Sequence, residues 1–483
     1  MPAKPSPRSA LTTLPEELAE AEFGDERLSR RLQQVTEAAI KNPARSFPQM
    51  ASSDAELEGT YRFLNNKAVT PERILAPHRR ATSERVSRAC GALVLHDTST
   101  FTFGGEERED LGWVSNLSVG FYAHFALAVG ADIAHQPLGV VGMSVISRSK
   151  KWGETVKKTE REQRDNPERE YLRWGEMVGV VEENLGVGKV IHVMDREADS
   201  YELFAAMIRK EARFVVRMSY DRVLLAPSWP ADPRTVTSAL AQGKDVVLER
   251  EVPISARRAT GQTPKERKIH PPREARMAKL RFRAATLILK RPVDQRGPDL
   301  PDSLSVNVVQ VHEVDAPEGQ EPVAWRLVTT EPVTMPDQVA AVVDHYRGRW
   351  VIEEFFKALK TGCAVQERQL ESKRAVLNAL AVFAAVAWRI LALRTLARHA
   401  SGAPATAALT PTQLRLLQAS SVRVKLGSAP TVREAMLAIA GIGGHLKRNG
   451  EPGWLTLTRG FHELLIMEAG CLADKISRRR RRA

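Results

Sequence analysis

Val190-Ile191-His192-Val193-Met194-Asp195-Arg196-Glu197-Ala198-Asp199 decides the fold. Val190 to Met194 is a short, mostly apolar run of the length that a strand buried on both faces adopts, and it ends on an acid, Asp195. A helix is expected next, from Asp199 to Lys210, and then a strand from Phe214 to Arg217. Upstream, Ala92-Leu93-Val94-Leu95-His96 is a second run of this kind and leads into Asp97. Between the two lie strand candidates at Gly120 to Val129 and Pro137 to Ser147, and a charged helix from Pro167 to Leu185. Strands with interposed helices make an α/β core.

The flanks read differently. Met1 to Thr12 reads as a flexible leader, and Thr13-Leu14-Pro15-Glu16 as a helix start. Helical patterning runs to Ile40 with a break at Phe23-Gly24-Asp25, and again from Ser53 to Arg88 with a break at Thr70-Pro71. From about Val223 to Gly319 the pattern is β-rich, and from Pro336 to Thr361 helical. After Glu371 everything reads as helix. The expected organisation is therefore an all-α segment over 1–90, a core over 91–371 with a β-rich insertion at about 223–319, and an all-α segment over 372–483.

Bulk properties narrow the chemistry. Of 483 residues, 71 are Lys or Arg and 58 Asp or Glu, a net charge of +13. Such a balance favours a polyanionic partner, because neutralising phosphates releases counterions. Arg257 to Arg291 alone holds twelve cations against two Glu. Cys90, Cys363 and Cys471 are far apart, so no disulfide framework or zinc pair is expected and a reducing cytoplasm is the natural setting. The N-terminus shows no apolar signal core. The most apolar helix candidate, between Arg374 and Arg389, offers 14 residues including Asn378, which reads as a buried core helix and not a membrane span. The arginines Arg478 to Arg482 read as an unstructured, nonspecifically attractive tail.

Three places carry chemistry. An apolar strand delivering Asp97 or Asp195 at its end presents a carboxylate to a cleft, though a turn-forming or helix-capping Asp gives the same pattern. Asp199 fits a helix cap. The third place is Tyr346-Arg347-Gly348-Arg349-Trp350-Val351-Ile352-Glu353-Glu354-Phe355-Phe356-Lys357-Ala358-Leu359-Lys360. Tyr346 is seven residues before Glu353, Arg349 four before and Lys360 seven after, offsets that share one face of a continuous helix. An ordinary solvated face with i,i+4 ion pairs reads the same way. Taken together, three acids supply the hard oxygen ligands that two-metal phosphoryl transfer needs.

Tyr346-x2-Arg349-x3-Glu353-x6-Lys360 resembles the Tyr-Arg-Glu-Lys signature of a bacterial insertion-sequence transposase group, the fourth insertion-sequence family, of transposon-five type. The stretch Asp195 to Asp199 resembles that family's second-Asp motif, and Leu95-His96-Asp97-Thr98-Ser99 its first. Phe214-Val215-Val216-Arg217 resembles a strand whose arginine approaches DNA, and Trp325 to Val333 the segment whose tryptophan stacks on a flipped base. Phe23 to Leu32 with Tyr61-Arg62-Phe63 resembles the end-recognition domain, although Leu28 stands where some relatives carry a second arginine. Gly441-Ile442-Gly443-Gly444 and Trp454 resemble the C-terminal domain used for dimer contacts.

The resemblance implies an RNase H-like mixed-sheet core in which Asp97, Asp195 and Glu353 hold two Mg2+ ions, with Mn2+ able to substitute. It implies cut-and-paste movement of an element bounded by terminal inverted repeats: a nick, a hairpin in some relatives, and strand transfer to target DNA. Tyr346, Arg349 and Lys360 would grip phosphates, Trp325 and Arg217 would contact the cleaved end, and Arg27, Arg31 and Arg62 the transposon end. The partners expected are double-stranded DNA and a second copy of the chain in a synaptic complex, in the bacterial cytoplasm at the nucleoid and away from membranes. An inactive DNA-binding relative and a metal-dependent phosphohydrolase are the competing readings.

Overall fold

The computed structural model describes residues 14–104, 108–115, 117–149, 170–225, 234–242, 247–257, 267, 271–295, 300–399, 402–421, 424–446, 448 and 450–482. The expected leader, the Thr13 helix start and the cations at 258, 265 and 268 lie outside the described residues. The chain opens with helices α1 (Leu14–Ala19), α2 (Glu26–Lys41), α3 (Phe47–Met50), α4 (Asp54–Asn65) and α5 (Pro71–Arg88). Strands β1 (Ala92–Thr102), β2 (Gly120–Gly130) and β3 (Pro137–Ile146) follow, then α6 (Arg173–Leu185), β4 (Ile191–Met194), α7 (Tyr201–Arg209) and β5 (Arg213–Arg217). The β-rich stretch holds α8 (Val236–Gln242), β6 (Leu248–Ile254), β7 (Arg276–Lys290) and β8 (Ser303–Val314), and β9 (Ala324–Thr329) closes it. The rest is helical: α9 (Pro336–Gly348), α10 (Trp350–Lys357), α11 (Lys373–His399), α12 (Pro411–Ser420), α13 (Val432–Ile442) and α14 (Trp454–Arg482).

The nine strands hydrogen-bond in the order β3-β2-β1-β4-β5-β9-β8-β7-β6. Two compact units share them: one takes the described residues of Met1–Ala92, Asp97–Arg173 and Trp350–Ala483, the other Leu93–His96 and Trp174–Arg349. In the second unit β1 pairs β4 in parallel, with Leu93 on Ile191, Val94 on His192 and Leu95 on Val193. The strand β4 pairs β5 in parallel, and β5 pairs β9 antiparallel. Strands β8, β7 and β6 continue antiparallel from β9. The β-rich insertion thus extends the same sheet. A buried polar chain runs beneath the parallel strands: His96 Nε2 meets His192 Nδ1 at 2.9 Å, and His192 Nε2 meets Glu182 Oε1 at 2.8 Å.

In the first unit, local chemistry sets the helix starts. Asp25, Ser53 and Thr70 cap α2, α4 and α5 through backbone amides of Arg27, Glu56 and Arg73. The core is built on α11, a 27-residue helix, longer than expected because it continues through Arg389 to His399. By length and composition it could cross a membrane, but 94% of its most apolar window is buried inside the protein. Two of its buried polar side chains hold backbone carbonyls of neighbouring elements. Asn378 donates to the carbonyls of Leu64 at 2.9 Å and Val69 at 3.0 Å, and Trp388 Nε1 to Pro137 O at 3.1 Å. Helices α13 and α14 touch through glycine: a Cβ on Gly460 would sit 1.8 Å from Ile439 O, and one on Gly443 1.9 Å from Thr456 O.

Several expectations need correction. The strand β1 does not stop before Asp97 but runs on to Thr102, changing from buried to half-buried at Asp97. Thr98, Thr100 and Thr102 are β-branched and favour the pleat once the apolar run is exhausted. The helix expected over 336–361 is not one uniform α-helix: α9 ends at Gly348, Arg349 links it to α10 in a right-handed helical conformation, and α10 gives way to a π-helical turn at Ala358–Gly362. The arginine tail is also not unstructured, since the backbone of α14 is helical through Arg482.

Candidate active site

The second unit gathers five of the residues singled out above. Asp195 follows the fully buried β4 and caps a single 3-10 turn, Arg196–Ala198, its Oδ1 accepting the Glu197 amide at 2.9 Å. Asp199 does not cap α7; Ser200 stands there, without a side-chain bond. Instead Asp199 is buried and paired with Arg222 at 2.5 Å, and its Oδ2 accepts the amides of Ser219 at 2.6 Å and Tyr220 at 2.9 Å. Ser219 Oγ donates to Arg196 O at 3.0 Å. The turn carrying Asp195 is thereby bolted to the loop that follows Arg217, the last residue of β5.

Arg217 donates to the phenol oxygen of Tyr346, which is 6% exposed. Burial holds that phenol above its usual pKa, against the opposing charges of Arg217 and Arg349, with Asp195 adding to the rise. The half-buried Trp325 packs edge-on to Tyr346, ring centres 5.4 Å apart at 66°. Its strand β9 pairs with β5, so Leu327 stands opposite Arg217. One patch thus combines a carboxylate, two guanidiniums, a phenol and an indole, a set that suits a phosphate beside a stacked base.

The first unit holds Asp97, Glu353 and Lys360. Asp97 Oδ1 accepts the Thr98 amide at 2.8 Å. Thr98 Oγ1 in turn meets His124 Nδ1 at 2.9 Å and accepts from Arg173 Nε at 2.9 Å. Burial, helped by the Arg173 charge, pushes His124 down to about 3, so its ring is neutral at physiological pH. Glu353 is half-buried on α10. Its neighbour Glu354 ties that helix to α11 through Arg394 at 2.5 Å. Past α10, Lys360 Nζ donates to Thr100 O at 2.6 Å and lies 4.9 Å from the Phe101 ring centre. Gln366 donates to Thr102 O at 3.1 Å. The segment that continues the Glu353 helix is thus riveted to the strand that carries Asp97. An ammonium has three N–H donors, so the bond to Thr100 does not exhaust Lys360.

The three acids are divided between the units, Asp97 and Glu353 in one and Asp195 in the other. Within either unit, no group of three or more His, Cys, Asp or Glu side chains among the described residues could hold a metal ion. In the helical N-terminal segment Arg27 is 83% exposed and pairs with Asp25 at 3.2 Å, while Arg62 is 72% exposed and pairs with Glu58 at 3.5 Å. Arg31 lies over Gly59, where a Cβ would come within 2.8 Å of its guanidinium. Part of the basic stretch is paired: Arg276 with Glu313, Lys279 and Arg281 both with Glu249, and Arg291 with Asp302. Sequence reasoning missed His124, Arg173 and Arg222, whose roles come from contacts distant along the chain.

Residues 180–388 match the family model described as the transposase DDE domain, and residues 12–69 the one described as transposase DNA-binding. A DNA-binding helical segment on the same chain as a phosphodiester-cleaving domain defines an enzyme that acts on DNA. Specifically, the chain is a DDE transposase, a divalent-metal-dependent DNA-cleaving enzyme of a class that generally uses Mg2+. The first match contains Arg27, Arg31 and Arg62; the second contains Asp195, Arg217, Trp325, Tyr346, Arg349, Glu353 and Lys360. Asp97 lies outside both.

Proposed function

We propose that the protein is a cut-and-paste transposase of the transposon-five type, and that Asp97, Asp195 and Glu353 hold two divalent ions, Mg2+ with Mn2+ as substitute. The observation that carries this is the register of β1 and β4. Leu95 and Val193 are partners in parallel strands, and each is followed two residues later by an aspartate. The donor set is three carboxylates, the oxygen ligands that Mg2+ prefers. Asp97 and Asp195 are each oriented by one backbone amide. Ions bound there supply activation of the attacking oxygen and stabilisation of the leaving one.

The chain's own residues do the rest. Arg27, Arg31 and Arg62 contact the element's terminal inverted repeats. Arg217, Arg349, Lys360 and Tyr346 hold phosphates of the cleaved end. Trp325 stacks on a base turned out of the duplex, which relieves the strain of a hairpin bend. Water nicks one strand and leaves a 3′-OH, which attacks the opposite strand to form a hairpin. A second water opens the hairpin, and the 3′-OH then joins target DNA. A homodimer pairs the two ends, with the N-terminal segment (1–90) reading them and the C-terminal segment (372–483) joining the copies. The setting is the bacterial cytoplasm, at the nucleoid.

The test uses the inverted repeats that bracket the gene, carried on a linear duplex, with Mg2+. Glu353→Gln is expected to abolish nicking while end binding in a mobility-shift assay stays within about twofold, because only metal ligation is lost. Nicking by the variant at the wild-type rate would remove Glu353 from the site.

A further inference from the structure

Arg368 is a charged residue placed where a charge is costly. It is 5% exposed and lies in the segment that joins the π-turn after α10 to α11. Among the described residues its guanidinium bonds to no carboxylate. It donates to the backbone carbonyls of Pro43 at 2.5 Å, Arg45 at 2.5 Å and Cys363 at 2.8 Å. It is sandwiched by Phe383, 3.8 Å from the ring centre, and Phe47, 5.1 Å away. Its Nε finds no partner among the described residues. Burial pushes its pKa down to about 10. A buried cation held by carbonyls, a thioether and two aromatic rings is a poor way to gain stability, since an apolar side chain of similar size avoids the desolvation cost.

What the residue joins is specific. Pro43 and Arg45 lie between α2 and α3, inside the stretch matched as transposase DNA-binding, and Arg368 lies inside the stretch matched as the DDE domain. On the other side, Cys363 N donates to Ala358 O and closes the π-turn that continues the Glu353 helix. The next residue, Ala364, has φ of 48°, a left-handed conformation unfavourable for alanine. A second buried polar residue does the same a little further on: Asn378 holds the carbonyls of Leu64 and Val69 at the far end of α4. The loop that follows α2, and the last turn of α4 with the loop after it, are therefore held by carbonyls to the chain segment that leads out of the Glu353 helix.

We propose that Arg368 is a positioning residue that couples engagement of DNA by α2 and α4 to the placement of Glu353. The forked guanidinium transmits a shift of the 43–45 loop to the Cys363 carbonyl, and so to the π-turn and α10. Lysine cannot reproduce this, because one ammonium nitrogen would have to replace the two guanidinium nitrogens that reach the three carbonyls. The inference rests on the transposase reading above.

The experiment uses the full chain and a linear duplex of the flanking inverted repeat. Binding is measured without metal, and single-turnover nicking with Mg2+ at saturating DNA. For Arg368→Lys and Arg368→Met the dissociation constant is expected to stay within about twofold of wild type, while the nicking rate falls about tenfold for Lys and about a hundredfold for Met, the usual range of coupling between sites. Should Met fail to fold, Lys carries the test, because it keeps the charge and most of the packing. A binding loss that accounts for the rate loss would reduce Arg368 to a prop for the DNA-binding helices and overturn the proposal, as would an unchanged rate. If the wild-type protein neither binds nor nicks this duplex, the transposase reading of that DNA fails, and the coupling falls with it.

Discussion

His78 illustrates how single residues tie this molecule together. It is fully buried on α5, and its Nε2 accepts the Val140 amide at 3.0 Å while Nδ1 faces Glu17 Oε1 at 2.5 Å. A nitrogen that accepts an amide N–H carries no proton, so Nδ1 donates and the ring is neutral. Burial holds its pKa below the ordinary value even though Glu17 pulls the other way. The unfolded chain then binds a proton that the folded one does not, so stability rises with pH. The contribution is complete above about 6.5 and is lost as pH falls from there toward the depressed folded value. In urea melts from pH 7 to pH 5, His78→Gln is expected to flatten the slope of stability against pH by up to about 1.4 kcal/mol per unit; identical slopes would rule out this assignment. At this scale the sequence was legible where chemistry contrasts with its surroundings. Asp97 and Asp195 stand out at the end of apolar runs. The partners that set their environment, His124 through Thr98 and Arg222 through Asp199, are distant in sequence and leave no local trace.

At the scale of elements, periodicity located most helices and strands as far as β5 but gave only a β-rich character from Val223 to Gly319 and an undivided helical one after Glu371, and errors fell where two preferences compete. Gly348 weakens an otherwise helical pattern, and α9 ends there, one residue before α10 begins, with Arg349 between them still in a right-handed helical conformation. The Thr-rich continuation of β1 lacks the apolar signal of a strand yet forms one. Composition alone could not show that the Gly441 to Gly444 stretch serves an intramolecular helix crossing, with Gly443 and Gly460 letting α13 and α14 meet backbone to backbone. Gly460→Ala is expected to destabilise the protein by about 1–3 kcal/mol or more, since its methyl group would fall on the Ile439 carbonyl and force the helices apart. A thermal midpoint within a degree of wild type would mean that the crossing is looser than described.

For the molecule as a whole, net charge of +13 foretold a polyanionic partner but not which cations meet it. Lys279 and Arg281 share the single carboxylate of Glu249, so only one of their two charges is neutralised before DNA binds. Replacing both by Gln is therefore expected to change the slope of log affinity against log salt by no more than about 0.9, half of the roughly 1.8 that two lost phosphate contacts would give. A change near the larger figure would show that the two side chains leave Glu249 for the duplex. The α/β core with flanking helices was readable because alternating strand and helix patterns admit few architectures. That the insertion continues one nine-stranded sheet was not, because strand pairing across a hundred residues is decided by packing and not by local pattern.

Helix α11 is made late: its first residue is Lys373, yet α4, α5 and β3 all rest on it. While the ribosome is still upstream of that point, the early helices have no floor, and side chains such as Phe47 and Leu64 face outward as bare oil. Any product that terminates before Lys373, by a frameshift or a premature stop, should therefore be sticky and short-lived, a target for chaperones and proteases instead of a lingering competitor for DNA.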